Sequence, residues 1–253
     1  MAEDAKGDLV TFEHSQKLIY LIERIVQRVE LLTPDPLCVA MNGFRHERLA
    51  APRLSMIVSS FDRPEHLKLV LQSLKLQSSA EQIEVIVTDN SPTEINRGVV
   101  ASMRTPFDLH YFPTKATCCY SAAELAAAKA RGDFLGFPSD DDWFASEYCE
   151  RMLKAADANS WDMVLCDCLY DPWTAITANP PLEAGRHRIL ETNAVLGQVD
   201  KAGFIVRRSL FLEMEGFPRK VPGGPSGSDG AFVQAAAARC AWGKVPEVMW
   251  SHG

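Results

Sequence analysis

Apolar residues recur along the chain in two ways, at helical intervals and in short unbroken runs, and each predicts an element. Between Thr11 and Leu32, the residues Leu18, Ile19, Leu21, Ile22, Ile25, Val26, Val29 and Leu32 keep helical spacing, with Glu23, Arg24, Gln27 and Arg28 between them. This predicts an amphipathic helix. Thr33-Pro34-Asp35-Pro36 ends it, because proline cannot continue the hydrogen-bond ladder. Such a helix packs on its own domain or serves as a dimerisation or membrane-surface element, and its mixed charges favour the first. Beyond a linker to about Arg53, the runs Leu54 to Val58, Ile83 to Thr88, Leu109 to Phe112, Phe134 to Phe137 and Met163 to Cys166 predict buried strands. A further strand is expected near Val248 to Trp250. Helices are predicted from about Pro64 to Gln77, from Ser121 to Ala130 with a stop at Gly132, and from beyond Trp143 to about Asn159. This alternation predicts an α/β domain over residues 51–253, with a mixed central sheet, a Rossmann-like first half and helices on both faces. Residues 1–50 form a helical extension to it.

In a βαβ unit the ligand site lies at the carboxyl ends of the strands, and Asp62 and Asp89 fall at two such ends. The run Asp140-Asp141-Asp142 follows the strand at Phe134 directly. Three adjacent carboxylates repel one another and raise each other's pKa. A hard divalent cation, Mg²⁺ or Mn²⁺, removes that cost. The other reading is an acidic turn capping the helix after Trp143; the flanking strand and the βαβ unit favour the metal. A P-loop nucleotidase is excluded, since G-x-x-x-x-G-K-[ST] is absent.

Composition narrows the partners. A net charge of −7 argues against nucleic acid or anionic lipid as a general partner, because both require clustered Lys and Arg. The 7 cysteines lack paired C-x-x-C spacing and read as reduced thiols of a cytoplasmic protein. No apolar run approaches the ~18 residues needed to span a bilayer, and residues 1–8 lack the basic-then-apolar order of a signal peptide. The protein is therefore expected to be cytoplasmic, with the inner face of the membrane as a second location.

Three motifs carry a family resemblance. Ser59-Ser60-Phe61-Asp62-Arg63-Pro64, Glu84-Val85-Ile86-Val87-Thr88-Asp89-Asn90-Ser91 and Gly132 to Trp143 are similar, in order and spacing, to the first-strand, second-strand and D-x-D segments of family-two, inverting glycosyltransferases of the GT-A fold. The resemblance extends from Leu54 to His252. It implies a nucleotide-diphosphate sugar donor, a UDP-sugar first, and a Mn²⁺ or Mg²⁺ cofactor. It implies nucleotide contacts from Ser59, Phe61 and Asp89, with Asp140 near the ribose hydroxyls. Asp141 would hold the metal, Asp142 would be a second ligand or an orienting group, and His252 would complete the site.

Two positions depart from the family pattern. Ser139 stands where the first aspartate of the D-x-D motif often is. Ala122-Ala123-Glu124-Leu125-Ala126 stands where the family has A-R-N-x-G, so its arginine is missing and Lys115 becomes the candidate diphosphate contact. Toward the C-terminus, Gly227-Ser228-Asp229-Gly230 resembles the family segment that supplies the catalytic base, which assigns that role to Asp229. The alternative for Asp229 is an N-cap of a helix from Ala231 to Cys240. The expected reaction is sugar transfer to a hydroxyl of a glycan or glycolipid acceptor, with residues 169–203 as the place for acceptor-binding variation. The N-terminal helix would serve a homodimer or peripheral membrane association. The rival reading is a non-catalytic sugar-nucleotide or glycan-binding module on the same fold.

Overall fold

The structure is a computed structural model that describes residues 51–116, 118–170, 188–218 and 227–252. The predicted helix at 11–32, and with it the dimer and membrane roles, lies outside these residues.

Strands β1 (Leu54–Ser60) and β2 (Ile83–Asp89) are buried along their whole length. They pair in parallel from Leu54 beside Ile83 to Ser60 beside Asp89. Burial on both faces is why they read as unbroken runs rather than as alternating positions. Helix α1 (Pro64–Lys75) joins them. It opens on proline, whose missing amide hydrogen costs nothing in a first turn, and it buries Leu67, Val70, Leu71 and Leu74. Next come α2 (Arg97–Ser102), β3 (Asp108–Pro113), α3 (Cys119–Ala127) and β4 (Phe134–Gly136). They complete a parallel half with the order β3-β2-β1-β4. Then follow β5 (Asp142–Phe144), α4 (Tyr148–Asn159), β6 (Met163–Tyr170), β7 (Arg188–Leu190), β8 (Phe204–Arg207), α5 (Arg208–Glu213), α6 (Ser228–Ala237) and β9 (Trp242–His252). The second half continues the sheet as β4-β8-β6-β9-β5, with β7 paired to β6. Here β8 runs antiparallel to β4 and β6, and β5 antiparallel to β9, while β6 and β9 are parallel.

Side chains that alternate along β1 feed two cores on opposite faces of the sheet. Leu54, Met56 and Val58 join α1, α4 and Trp250. Ile57 joins the α3 and α6 side, where Phe137, Phe204, Phe211, Phe217 and Phe232 pack ring to ring.

Three expectations need correction. Asp142–Phe144 is a strand where none was expected, and the helix expected from beyond Trp143 to about Asn159 is α4, Tyr148–Asn159. The aspartate run therefore caps no helix. β9 reaches from Trp242 to His252, so His252 is the last residue of a strand rather than a residue beyond one. Gly132 does not terminate α3, which ends at Ala127. Its role is close approach: its amide donates to Ser55 Oγ at 2.9 Å, and a Cβ there would lie 2.7 Å from the Ser55 backbone nitrogen.

Phe137 is 1% exposed at the centre of the aromatic cluster. Phe137→Ala is expected to cost about 3–5 kcal/mol through lost burial and the cavity left behind, measured as a lower urea midpoint with an unchanged slope.

Candidate functional site

The chain leaving β4 stays zipped to β1. Ser59 donates its amide to Pro138 O at 3.0 Å, and Asp140 donates its amide to Ser59 O at 3.1 Å. That backbone pairing carries Asp140 into the loop after β1. There its carboxylate, 1% exposed, accepts from Ser60 Oγ at 2.7 Å and from the Phe61 amide at 3.4 Å. Arg63 straddles the run, with Nη2 paired to Asp140 and Nη1 donating to Asp141 Oδ2 at 2.8 Å. Burial lifts the Asp140 carboxyl above its ordinary value even against Ser60 and Arg63. For Arg63, burial works against the charged form, but the charges of Asp140 and Asp141 outweigh it and raise the guanidinium.

Antiparallel pairing of β5 with β9 sets Asp142 directly beside His252. Asp142 Oδ1 lies 2.9 Å from His252 Nδ1, and Oδ2 accepts from the Ser139 amide at 2.6 Å. Burial pushes the Asp142 carboxyl up to about 6, opposed by His252. Burial alone would lower the His252 imidazole, but the hydrogen bond and charge of Asp142 raise it to about 9. The other oxygen of Asp141, Oδ1, is buried with no hydrogen-bond partner among the described residues and lies 3.9 Å from His252 Nδ1. One ligand atom from each of Asp141, Asp142 and His252 falls within 4.8 Å of the others. Two carboxylates, one with an orphaned oxygen, and an imidazole form a donor set that fits a small divalent cation.

At the neighbouring strand ends, Asp89 is buried with both oxygens engaged. Oδ1 accepts from the Ser91 amide at 2.9 Å and from the Ser91 hydroxyl, and Oδ2 accepts from Tyr111 OH at 2.7 Å. Burial, then the bond to Asp89, raises the Tyr111 hydroxyl. Ser91 Oγ in turn accepts from the Asp62 amide at 2.7 Å, holding Asp62 at φ 51°, a left-handed conformation that Asp tolerates. Phe61 is 52% exposed beside this relay, and Ser59 Oγ is buried without a partner among the described residues. The structure thus brings Ser59, Phe61, Asp89 and Asp140 to one rim of the sheet. Lys115 is exposed on the connection between β3 and α3, between Thr114, whose amide donates to Asp89 O at 2.8 Å, and Ala116, whose carbonyl accepts from Asn90 Nδ2 at 3.4 Å.

Asp229 belongs to the first turn of α6, whose N-cap is Gly227 without a side-chain cap bond. The capping alternative therefore fails: the helix starts earlier than expected, and Asp229 lies inside it. Its Oδ1 accepts from the Gly230 amide at 2.9 Å. Burial, then the charge of Asp200, pushes its carboxyl up to about 6. Gly230 is pressed against the loop before β8, since a Cβ on it would lie 2.2 Å from Gly197 O. Ala123 stands where the arginine was expected, and Glu124 beside it accepts from the Phe217 amide at 3.1 Å, next to Gly216 at φ 80°. It fixes the turn before α6. Sequence reasoning gave Arg63, Asp200 and Lys201 no role. Arg63 was signalled as the one cation in the motif facing three carboxylates. Asp200 and Lys201 sit in a stretch with no period to place them.

A parallel βαβ half and a mixed second half, with a carboxylate-imidazole cluster where they meet, form the GT-A fold. Residues 55–211 match Glycosyl transferase family 2, and the chain belongs to that family. An uncharacterized glycosyltransferase of Haemophilus influenzae is 29% identical over 172 residues, 64% of this chain and 55% of that protein. The chain thus spans about half the length of that curated relative. Staphylococcus aureus TarS 1-349 superposes with a TM-score of 0.64 at 17% identity, covering 79% of this chain and 60% of that one. The mannosyltransferase PcManGT from Pyrobaculum calidifontis, in complex with GDP-Man and Mn2+, gives a TM-score of 0.61 at 15% identity, covering 96% of this chain and 67% of that one. At these identities the likeness of the structures is one of fold.

The electrostatics of Asp229 yield a stability prediction. Its carboxyl is raised from 3.8 to about 6 in the fold. A raised pKa contributes stability that is fully present below the unfolded value and lost as pH rises through the folded one. Asp229→Asn removes this loss, so the variant is expected to be more stable than the wild type at about pH 7.5, by on the order of 1–3 kcal/mol. Urea denaturation at about pH 4 and about pH 7.5 should show the gap closing at the lower pH.

Proposed function

We propose that this protein transfers a sugar, with inversion, from a nucleotide-diphosphate donor, a UDP-sugar first, to a hydroxyl of a glycan or glycolipid acceptor. The observation that carries the reading is the juxtaposition of Asp141, Asp142 and His252 at one rim of the sheet, with the buried carboxylate of Asp229 opening a separate helix. A TarS structure in complex with UDP-GlcNAc and the PcManGT structure with GDP-Man and Mn2+ support a nucleotide-sugar donor and a divalent metal.

In this reading Ser59, Phe61 and Asp89 line the place of the base, and Asp140 stands near the ribose. Arg63 holds Asp140 and Asp141 in place. Asp141, Asp142 and His252 would hold Mn²⁺ or Mg²⁺, which when bound supplies positive charge for the departing diphosphate. Asp229 accepts the proton of the acceptor hydroxyl while its oxygen attacks the anomeric carbon from the face opposite the diphosphate. The anomeric carbon–oxygen bond to the diphosphate breaks as the new glycosidic bond forms. A carboxyl pushed up to about 6 suits this role, since it is ionised at neutral pH yet basic enough to take a proton. Lys115, exposed between two residues bonded to Asp89 and Asn90, remains a candidate contact for the diphosphate.

Asp141→Ala is expected to abolish the Mn²⁺-dependent part of UDP affinity measured by calorimetry; an unchanged affinity would remove Asp141 from the metal site. Asp89→Ala is expected to weaken UDP affinity while sparing Mn²⁺ binding. Asp229→Asn is expected to keep UDP affinity and lose about 10² to 10⁴ in turnover. The wild-type rate should climb with pH through about 6, the value of Asp229, and then level off. A variant that keeps most of the wild-type rate at saturating substrates, or a rate flat across that range, would exclude Asp229 as the base.

A further inference from the structure

The turn Asp200–Gly203 connects the two candidate reaction groups. On one side it packs against α4 and β9. Tyr148 OH donates to Ala202 O at 3.0 Å, and a Cβ on Gly203 would come to 3.4 Å from Trp250 Nε1, two residues before His252. On the other side it follows the loop whose Gly197 carbonyl presses on Gly230, next to Asp229. Asp200 caps the turn by accepting from the Ala202 amide at 3.2 Å. Lys201 is 7% exposed, and its ammonium is buried with no hydrogen-bond partner among the described residues. Its charge reaches Asp229, whose carboxyl it holds lower than burial alone would set it, but no carboxylate accepts a hydrogen bond from it.

An ammonium taken out of water without a partner is costly, and a fold that keeps one there commonly leaves the partner to a ligand. The region is otherwise rich in carboxylates: Asp140, Asp141, Asp142, Asp200 and Asp229. Arg63 is already committed to Asp140 and Asp141. The helix position where the resemblance implies an arginine carries Ala123, which brings no cation, and the next residue, Glu124, accepts from the Phe217 amide. A doubly charged diphosphate entering this region gains from a cation besides the metal, and among the described residues Lys201 offers a buried, unbonded ammonium on the turn that packs toward β9 and follows the loop against Gly230.

We propose that Lys201 contacts the substrate, donating from its ammonium to an anionic oxygen of the donor's diphosphate. The inference rests on the nucleotide-sugar reading above and deepens it by naming the residue that takes the place of the missing arginine. Such a contact also explains a lysine, rather than a leucine or methionine, in a buried turn where its ammonium has no hydrogen-bond partner among the described residues.

The test compares Lys201→Met and Lys201→Gln with the wild type, by calorimetric titration of UDP and of UMP in Mn²⁺ buffer and by the melting temperature without ligand. Because no hydrogen bond among the described residues is lost, and only the charge of Lys201 on Asp229 is removed, both variants are expected to melt close to the wild-type temperature. UDP affinity is expected to fall about 10- to 100-fold, the worth of one charge-assisted hydrogen bond, while UMP affinity stays unchanged. Equal UDP affinity in variant and wild type overturns the proposal. So does an equal loss for UMP and UDP, or a fall in melting temperature of both variants by more than about 10 °C, which would assign Lys201 to the architecture. A wild type that binds neither UDP nor GDP overturns the nucleotide-sugar reading itself, and this inference with it.

Discussion

Like-charge repulsion at the end of β4 is the constraint around which the rest of the site is arranged. Asp140, Asp141 and Asp142 are successive residues, and Asp140 and Asp142 are almost fully buried. Negative charge confined in a low-dielectric setting must be offset by cations or be neutralised by protons. The fold offsets it from two directions. Arg63 reaches in from the start of α1, and His252 arrives at the end of β9. Each also fixes geometry, because Arg63 ties the loop after β1 to the aspartate run and His252 ties the last strand to β5. One oxygen of Asp141, 3.9 Å from His252 Nδ1, is left without a hydrogen bond among the described residues.

That residual imbalance links architecture to chemistry. Loops between elements of the parallel half contribute Asp89, Ser91 and Asp62, which are bonded to one another and leave Phe61 turned out to solvent. Elements of the second half contribute His252, Asp200, Lys201 and Asp229. The rim is therefore shared between a rigid, hydrogen-bonded side and a side where Asp229, bonded to Tyr120 and to the Gly230 amide, feels the charge of the buried Lys201.

Family membership and fold agree with the motif reading, and the departures from the family pattern acquire physical explanations. Glu124 is an anchor for the turn at Gly216 and Phe217. Ser139 uses its backbone amide to support Asp142. Neither substitution disturbs the cluster formed by Asp141, Asp142 and His252.

Much of this was legible in the chain alone. Long buried strands such as β1 and β2 announce themselves as apolar runs, and the aspartate run, Asp89, Asp229 and His252 stand out because motifs keep their order along the sequence. Short elements did not show. β5 is three residues long, too short to carry a period, so no strand was expected at Asp142. The partnership of Asp142 with His252 spans 110 positions and exists only because antiparallel pairing of β5 with β9 closes that distance. The burial that lifts Asp229 to about 6, and the solitary ammonium of Lys201, are likewise properties of packed surroundings. Sequence determines which groups are present and in what order; which charges are buried together, and which is left without a partner, is decided by the sheet that brings them to one rim.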